Sequence, residues 1–455
     1  MSLINPYIFR EYDIRGNVAE DFPEHVVIKL GKAFGTFVKR AGGGEVAISG
    51  DIRLTTPTLI EQFKTGILST GVDVINIGIL PTPVNYFSMF QLGVFSAVQI
   101  TGSHNPPEFN GFKLSMNKKP VYGKDIQALH HLIDKMDFEK GNGTEARYKL
   151  LDVYNEMIRK KITLERSLKV VMDCGNAAGA INGPRLIESL GVELTELYCE
   201  PDGTFPNHHP DPSKLENMED LIKNVKENDS AVGLAFDGDA DRLGVISPKG
   251  EMIFPDRQMI MFSRQVIQSS PNAKIVFDVK CSKLLSDEIE KLKGKPLICK
   301  TGHTFIKQKI READALLGGE MSGHIFFNDR WPGFDDGIYA GARMLEIIAN
   351  SEGDDPFVTV PNMLSTPEIN IPAADEEKFQ IVKKFIENSN FNDAKIVSID
   401  GIRVEFEKGW GLLRPSNTSP CLVLRFEAET SDDLNEIKEI FYLGLKSIKP
   451  NINKF

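Results

Sequence analysis

Three aspartates stand at every second position, Asp237, Asp239 and Asp241, after the apolar start of "VGLAFDGDADRLG". An extended loop would turn the three carboxylates to one side, where they repel strongly unless a cation or proton lies among them. A small set of oxygen ligands indicates Mg²⁺, which commonly keeps positions open for water or a phosphate. An EF-hand does not fit, because its glycine and glutamate are missing from the sixth and twelfth positions. The spacing therefore predicts a magnesium site rather than a solvated acidic turn.

A lone hydroxyl forms the second candidate. Ser103 lies in "TGSHNPPEFNGFK" (101–113), directly after "FSAVQI" (95–100), an apolar run that predicts a buried strand. Open α/β sheets bind ligands at the carboxyl ends of their strands. Taken alone, the glycine, asparagine and prolines around Ser103 are also typical of an ordinary turn.

Two loops could bind an anion. "REYDIRG" (10–16) places Arg15 near Tyr12, and "LLRPSNTSP" (412–420) is predicted to be a turn between strands. Arginine donors, short hydroxyl and amide side chains and turn N–H groups can together bind a phosphate. A plain hairpin loop is the alternative for the second segment, whose candidate residues are Arg414, Ser416, Asn417 and Thr418.

Two further loops carry groups suited to sugars and proton transfer. "KTGHTFIK" contains His303, and "GEMSGH" contains Glu320, Ser322 and His324. A carboxylate beside a hydroxyl can bind neighbouring sugar hydroxyls, and histidine can act as acid or base near neutral pH. A single histidine is more often structural, and we expect that role for His25, His130, His131 and the pair in "NHHPDP" (207–212).

The composition excludes several classes of protein. The 455 residues carry a net charge of −11, which argues against nucleic-acid and anionic-membrane partners. Five widely spaced cysteines are typical of reduced thiols, and no apolar run approaches a membrane span. No Walker A loop, GxGxxG loop or GxSxG elbow is found. We expect a soluble, cytoplasmic protein.

The chain is long enough for several domains. Strand and helix patterns alternate to about residue 350 and predict α/β units, with an echo between "KVVMD" (169–173) and "KIVFD" (274–278). The tail differs, with helices predicted at 375–389 and 432–448 around three successive strands, which indicates a smaller α+β domain. Candidate boundaries lie at 139–147, 247–256 and 359–368, where Gly, Asn or Pro are frequent.

Eight motifs occur in an order that resembles the α-D-phosphohexomutase superfamily, most closely its bacterial phosphomannomutase/phosphoglucomutase branch. They are "FREYDIRG", "TGSHNPPEFNGFK", "PDGTFPNHHPDP", "AFDGDADR", "KTGHTFIK", "GEMSGH", "WPGFDDGIY" and "RPSNTSP". The resemblance implies three related α/β domains with mixed sheets and a C-terminal α+β domain around a central cleft. We place these domains at 1–148, 149–252, 253–362 and 363–455.

The resemblance also implies roles for individual residues. Ser103 is expected to be the phosphoserine, and Asp237, Asp239 and Asp241 are expected to bind Mg²⁺ together with an oxygen of the Ser103 phosphate. Glu320 and Ser322 are expected to bind sugar hydroxyls. The substrate phosphate is expected to bind Arg414, Ser416, Asn417 and Thr418, and we add Tyr12 and Lys280 to the substrate-binding set. The catalytic set is completed by Lys113, Arg242, His303, His324, Arg15 and His104.

The resemblance predicts the reaction. A hexose 1-phosphate and its 6-phosphate, of mannose, glucose or both, would interconvert through phospho-Ser103 and a hexose 1,6-bisphosphate, which also serves as activator. We expect sugar phosphates as the only partners of a monomer or weak homodimer. The alternatives are an aminosugar mutase, a metal-dependent phosphatase and a sugar-phosphate binding protein. The segment "SGDIRLTTP" (49–57) departs from the family pattern, and we expect it to lie away from the Ser103 loop.

Overall fold

The computed structural model describes residues 4–351, 355–389, 391, 394–416 and 419–455. The chain divides into two compact units, which are described separately. The first unit comprises Met1–Gln258 and Ser322–Phe357, and the second comprises Met259–Met321 and Val358–Phe455. In the described residues no helix is long and apolar enough to cross a membrane.

The amino-terminal segment forms a sheet covered by helices. Its elements are β1 (Ile14–Asn17), α1 (Val18–Asp21), α2 (Glu24–Arg40), β2 (Glu45–Gly50), α3 (Thr56–Leu68), β3 (Asp73–Ile79), α4 (Thr82–Gln91), β4 (Ser96–Ile100), β5 (Phe109–Met116), β6 (Lys119–Pro120), α5 (Lys124–Asp134) and β7 (Glu145–Arg147).

The strand order is β1-β5-β4-β2-β3-β7, with β6 paired to β5. Strand β2 runs parallel to β3 and β4, whereas β5 runs antiparallel to β1 and β4. Every residue of β4 is buried, as expected for an apolar strand covered on both faces, so the predicted strand is confirmed. The reversal from β4 to β5 puts the Ser103 loop at one end of both strands.

The next segment repeats the layered arrangement. Its elements are α6 (Leu151–Lys161), β8 (Lys169–Asp173), α7 (Gly183–Glu188), β9 (Glu193–Leu197), α8 (Glu219–Glu227), β10 (Val232–Phe236), β11 (Leu243–Ile246) and β12 (Met252–Ile253). The order is β12-β11-β10-β8-β9, in which β8 is parallel to β9 and β10 and the other pairs are antiparallel.

The third segment contributes to both units. Its elements are α9 (Pro255–Ser269), β13 (Lys274–Asp278), α10 (Lys283–Lys291), β14 (Lys295–Cys299), α11 (His303–Ala313), β15 (Leu317–Gly319), β16 (Ile325–Phe327) and α12 (Gly337–Ala349). Strand β13 is parallel to β14 and β15, just as β8 is parallel to both of its neighbours. The echo between the two five-residue segments therefore marks equivalent central strands.

The tail is a helix-covered antiparallel sheet. Its elements are β17 (Leu364–Ser365), β18 (Ile369–Pro372), α13 (Asp375–Asn388), β19 (Lys395–Val397), β20 (Ile402–Phe406), β21 (Gly409–Pro415), β22 (Cys421–Ala428) and α14 (Ser431–Ile448). The order is β17-β22-β21-β20-β19, with β18 also on β22. The predicted α+β tail and its two helices are confirmed, and Phe385, Phe426 and Phe441 are buried between sheet and helices.

Candidate active site

A tight turn gathers the three aspartates at the end of β10. Their ligand oxygens lie within 4.8 Å of one another, and all three side chains are fully buried. The prediction of an extended loop is wrong, because Ala240 has φ +59° and its N–H donates to the Asp237 carbonyl at 3.0 Å. The turn, rather than alternation along a strand, therefore brings the carboxylates together.

The three buried carboxylates of this turn outnumber the protein cations beside them. Lys113 Nζ lies 2.6 Å from Asp239 Oδ2 and 2.5 Å from Asp241 Oδ2. Burial and the two neighbouring carboxylates raise the pKa of Asp237 well above its ordinary value. Asp239 Oδ1 and Asp241 Oδ1 are buried without a hydrogen-bond partner in the described part of the chain. A divalent cation fits this donor set, since it would supply both the missing charge and the missing partners.

Ser103 lies against this turn. Its hydroxyl donates to Asp237 Oδ2 at 3.1 Å and lies 3.2 Å from His104 Nδ1. Ser103 is buried and has φ +50°, a conformation that non-glycine residues rarely adopt. A Cβ on Gly238 would be 2.1 Å from the Ser103 carbonyl oxygen, so only glycine lets the two loops approach this closely.

Two of the predicted catalytic residues flank Ser103. Arg242 and burial lower the pKa of His104 well below its ordinary value, so its ring is uncharged at neutral pH. Arg15 Nη1 donates to Asn105 Oδ1 at 2.9 Å, and Arg15 also pairs with Asp13. Both residues therefore contact the Ser103 loop, while Tyr12 lies in the bend before β1.

Arg242 and His324 form a joined pair next to the aspartates. Arg242 Nε donates to His324 Nε2 at 3.0 Å and lies 3.8 Å from Asp237 Oδ2. His324 Nδ1 lies 3.1 Å from Asp335 Oδ2 and 3.4 Å from Asp241 Oδ1. A hydrogen bond of 3.1 Å from Leu243 N–H to the Gly323 carbonyl, both in the first unit, fixes the backbone here.

The segment after Met321 brings one further predicted residue into the first unit. Ser322 Oγ is buried and has no hydrogen-bond partner in the residues that the structure describes. An unpaired buried hydroxyl is costly, so Ser322 is suited to a polar ligand. Asp241, His324 and Asp335 also satisfy the distance requirement for a metal site. The three aspartates remain the better set, because His324 Nε2 accepts from Arg242 Nε, which leaves the ring proton on Nδ1, the nitrogen that faces Asp241 and Asp335.

The second unit gathers the other candidates around paired charges. Lys280 Nζ lies 2.8 Å from Glu368 Oε1, and Arg414 Nε lies 2.9 Å from Asp400 Oδ2. Burial lowers the pKa of Lys280, but Glu368 and other carboxylates outweigh it and raise the pKa overall, so the lysine is charged. Glu320 follows β15 and is buried. These residues suit the binding of a phosphate and of hydroxyls.

The remaining predicted residues of the second unit lie at element ends. His303 is the first residue of α11, after Gly302 with φ +133°. Ser416 follows β21 in the predicted turn between strands, and its Oγ accepts from the Ser419 N–H at 3.1 Å. Asn417 and Thr418 lie outside the described residues. The predicted site residues thus form two sets, one in each unit.

The structure also contradicts the prediction that the segment 49–57 lies away from the Ser103 loop. Arg53 Nη2 donates to the Ser103 carbonyl at 2.8 Å, and Asp51 Oδ2 accepts from Thr101 Oγ1 at 2.7 Å. The reason is topological: β2 and β4 are parallel neighbours, so Gly50 pairs with Ile100 and the two following loops meet. Other contacts come from four residues to which the sequence analysis gave no role: Thr82, Asp335, Glu368 and Asp400.

The chain matches four domain families in order. These are phosphoglucomutase/phosphomannomutase alpha/beta/alpha domain I at residues 6–140, domain II at 152–250, domain III at 254–360 and the C-terminal domain at 368–443.

Proteins with similar sequences and structures are known. A phosphomannomutase/phosphoglucomutase of Pseudomonas syringae is 45% identical over 448 residues, covering 98% of this chain and 96% of that protein. A phosphoglucomutase of Neisseria meningitidis serogroup A is 43% identical over 452 residues, 98% of each chain. A crystal structure of a phosphoglucomutase/phosphomannomutase family protein from Burkholderia thailandensis has a TM-score of 0.95 at 43% identity, covering 99% of this chain and 100% of that one.

Proposed function

Because the chain belongs to the phosphoglucomutase/phosphomannomutase family, and is thus a mutase that transfers phosphate within a sugar, we propose that Ser103 carries the transferring phosphoryl group. The hydrogen bond of 3.1 Å from Ser103 Oγ to Asp237 carries this proposal, since it puts the hydroxyl beside the candidate metal ligands. A hexose 1,6-bisphosphate formed from phospho-Ser103 and substrate is the intermediate, and it also primes the serine as activator.

The first unit supplies what phosphoryl transfer requires, which is positioning and neutralisation of charge. Lys113 brings a fixed positive charge: burial alone would lower its pKa, but Asp239 and Asp241 raise the pKa overall. Arg242 offers a second cation whose Nε is oriented by His324. His104 is uncharged and 3.2 Å from Ser103 Oγ, so it can exchange a hydrogen bond with the hydroxyl.

Asp237, Asp239 and Asp241 would hold Mg²⁺, together with an oxygen of the Ser103 phosphate. Bound there, the ion would supply charge neutralisation at the transferring phosphoryl group. Around it, Thr82 Oγ1 donates to Asp239 Oδ2 at 2.5 Å and the Arg242 N–H donates to Asp237 Oδ1 at 3.2 Å. These contacts orient the carboxylates before any ligand arrives.

The candidates of the second unit suit the part of the substrate that does not react. Lys280, Arg414 and Ser416, with Asn417 and Thr418 carried over from the motif, would bind the second phosphate, while Glu320, together with Ser322 from the first set, would bind sugar hydroxyls. A mutase must accept its sugar in two orientations that exchange C1 and C6. Contacts to the hydroxyls of C3 and C4 can be made in both orientations. Glucose and mannose differ only at C2, so these contacts do not distinguish the two sugars. We therefore propose that both sugars are substrates.

The remaining assignments of the proposal follow from the family motifs. His303, Arg15 and Tyr12 complete the set around the substrate. The protein would act as a monomer or weak homodimer on free sugar phosphates, with four domains at 1–148, 149–252, 253–362 and 363–455.

A coupled assay tests the proposal. Glucose 1-phosphate and mannose 1-phosphate are supplied separately with Mg²⁺ and a trace of the matching 1,6-bisphosphate, and formation of each 6-phosphate is followed. We expect both reactions, with a strong dependence on the bisphosphate. Free phosphate released at comparable rates would favour a phosphatase instead, and faster turnover of glucosamine phosphate would favour an aminosugar mutase.

A further inference from the structure

We propose that Arg53 is a positioning residue for the reaction, which holds Ser103 in place through the backbone of its loop and never touches the phosphate. This inference rests on the proposed role of Ser103. Arg53 lies outside the matched motifs, after β2, and is 1% exposed. It therefore has to find its partners inside the protein.

Every N–H group of the Arg53 guanidinium already has an acceptor. A guanidinium has five N–H donors in a fixed planar fork and no acceptor. In this chain the five hydrogen bonds go to Asp51 Oδ2 at 3.2 Å and to the carbonyls of Pro106 at 2.6 Å, Phe109 at 3.0 Å, Ser103 at 2.8 Å and Asn105 at 2.6 Å. A side chain with no donor left cannot bind a phosphate without giving up the loop.

These contacts fix the loop in a conformation that it would not otherwise prefer. Ser103 has φ +50°, and four carbonyls of a short segment point at one cation. A residue keeps such an unfavourable φ only when the surrounding contacts hold its backbone there. Asp51 adds a second tie, because its Oδ2 accepts from Thr101 Oγ1 at 2.7 Å and from the Gly102 N–H at 3.3 Å.

The packing around Arg53 leaves it no freedom to move. A Cβ on Gly102 would be 2.5 Å from Arg53 Cζ, so the loop backbone lies directly on the guanidinium. On another side the guanidinium lies 5.2 Å from the ring centre of Phe205, also in the first unit. A small shift of Arg53 must therefore shift the backbone that carries Ser103.

The test compares three variants in the coupled assay at a temperature where each is folded. Arg53→Lys keeps the charge but cannot reach four carbonyls at once, and we expect kcat to fall about 10²-fold, the usual cost of misplacing a reacting group. KM for glucose 1-phosphate should stay within about threefold, because Arg53 makes no substrate contact. Gly102→Ala removes no polar group but pushes the loop backbone away from the guanidinium, and we expect the same fall in kcat.

Arg343→Lys is the matched control. Arg343 is equally buried in the first unit, and its Nη1 donates to Asp329 Oδ1 at 2.9 Å, away from the Ser103 loop. We expect it to lower the melting temperature while kcat stays within about twofold. This control separates loss of positioning from loss of stability.

The outcomes distinguish this inference from the proposed function. If Ser103→Ala is inactive while folded Arg53→Lys keeps a near-normal kcat, the positioning role is wrong. A large rise in KM at unchanged kcat would also overturn it, since that result marks a substrate ligand. If Arg53→Lys does not fold, Gly102→Ala provides the test, and a near-normal kcat for that variant would overturn the positioning role. An active Ser103→Ala refutes the proposed function itself.

Discussion

The candidate residues of the two units differ in how their charges are balanced. In the first unit three buried carboxylates face two cations, Lys113 and Arg242, and two carboxylate oxygens have no hydrogen-bond partner in the described residues. In the second unit each cation is matched by one carboxylate, Lys280 by Glu368 and Arg414 by Asp400. The first set therefore has an excess of negative charge, which an added cation would offset. In the second set a ligand phosphate can take the place of the carboxylate beside each cation, and the carboxylate can return when the ligand leaves. This arrangement suits a ligand that must bind and dissociate.

The largest effect should come from Ser103→Ala, which removes the proposed phosphoryl carrier from the first set. We expect kcat to fall by about 10⁴-fold or more, because loss of a nucleophile leaves only binding and electrostatics. Ser88→Ala is the control, since Ser88 is a buried serine of α4 whose hydroxyl donates to the Asn85 carbonyl at 2.6 Å. Turnover by folded Ser103→Ala near the wild-type rate would remove the basis of the comparison.

Asp239→Asn should have the next largest effect. It removes one negative charge from the unbalanced carboxylates, and we expect kcat to fall about 10²- to 10³-fold and Mg²⁺ to bind more weakly. Calorimetric titration with Mg²⁺ and the coupled assay measure the two quantities. Asp229→Asn, at an exposed turn before β10, is the control. Unchanged Mg²⁺ affinity in Asp239→Asn would mean that the carboxylates are structural.

Arg414→Ala should act on binding rather than on the chemical step. Loss of one charge-assisted contact to the phosphate is expected to raise KM about tenfold or more, with a smaller change in kcat. Arg425, nearby in sequence and buried, is no control because it donates to the Lys280 carbonyl. Arg159→Ala is the control, since Arg159 pairs with Glu156 on an exposed face of α6. A fall in kcat at constant KM would assign Arg414 to the chemistry and erase the difference between the sets.

Glu320→Ala sharpens the account of specificity. The wild-type kcat/KM values for glucose and mannose 1-phosphate should agree within about tenfold, roughly 1.4 kcal/mol of transition-state discrimination. The variant should lose activity toward both sugars alike, because the proposed contact does not reach C2. A loss confined to one sugar would show that the site discriminates at C2.

The smallest expected effect is on the free energy of unfolding, and it concerns the segment that contacts the Ser103 loop. His208 Nε2 lies 3.0 Å from Asp173 Oδ2, and the adjacent His209 contacts the His104 carbonyl. Burial lowers the pKa of His208, but Asp173 outweighs burial and raises it overall.

The raised pKa of His208 predicts how stability depends on pH. The ion pair stabilises the fold fully below the unfolded pKa of about 6.5, and this contribution is lost as the pH rises through the folded pKa. Compared with His208→Gln, the wild-type free energy of unfolding should fall by about 1 kcal/mol or less over this window. Parallel pH profiles for the two proteins, measured by urea unfolding, would rule the contribution out.

The sequence predicted residues whose chemistry is local and missed those whose partners are distant. Ser103 and the three aspartates stand out because each follows an apolar strand. Their turn was not foreseen, since alanine at position 240 carries no signal for φ +59°.

The paired carboxylates and Arg53 were missed because their contacts depend on the tertiary fold. Arg53 meets the Ser103 loop only because β2 and β4 are parallel neighbours. The apolar strand "EVAISG" followed by Asp51 and Arg53 was the available signal, as charged residues at the carboxyl end of a strand often serve a site.

The central claim is that the phosphoryl group on Ser103 is the one transferred. The most direct measurement mixes the phosphorylated protein with glucose 1-phosphate in a rapid-quench instrument and follows the phosphate on the peptide that carries Ser103 by mass spectrometry. The account predicts that this phosphate leaves the serine at least as fast as kcat, with the 1,6-bisphosphate appearing in step. A phosphate that stays on Ser103 through many turnovers, or a fully active protein that never carries one, would contradict it.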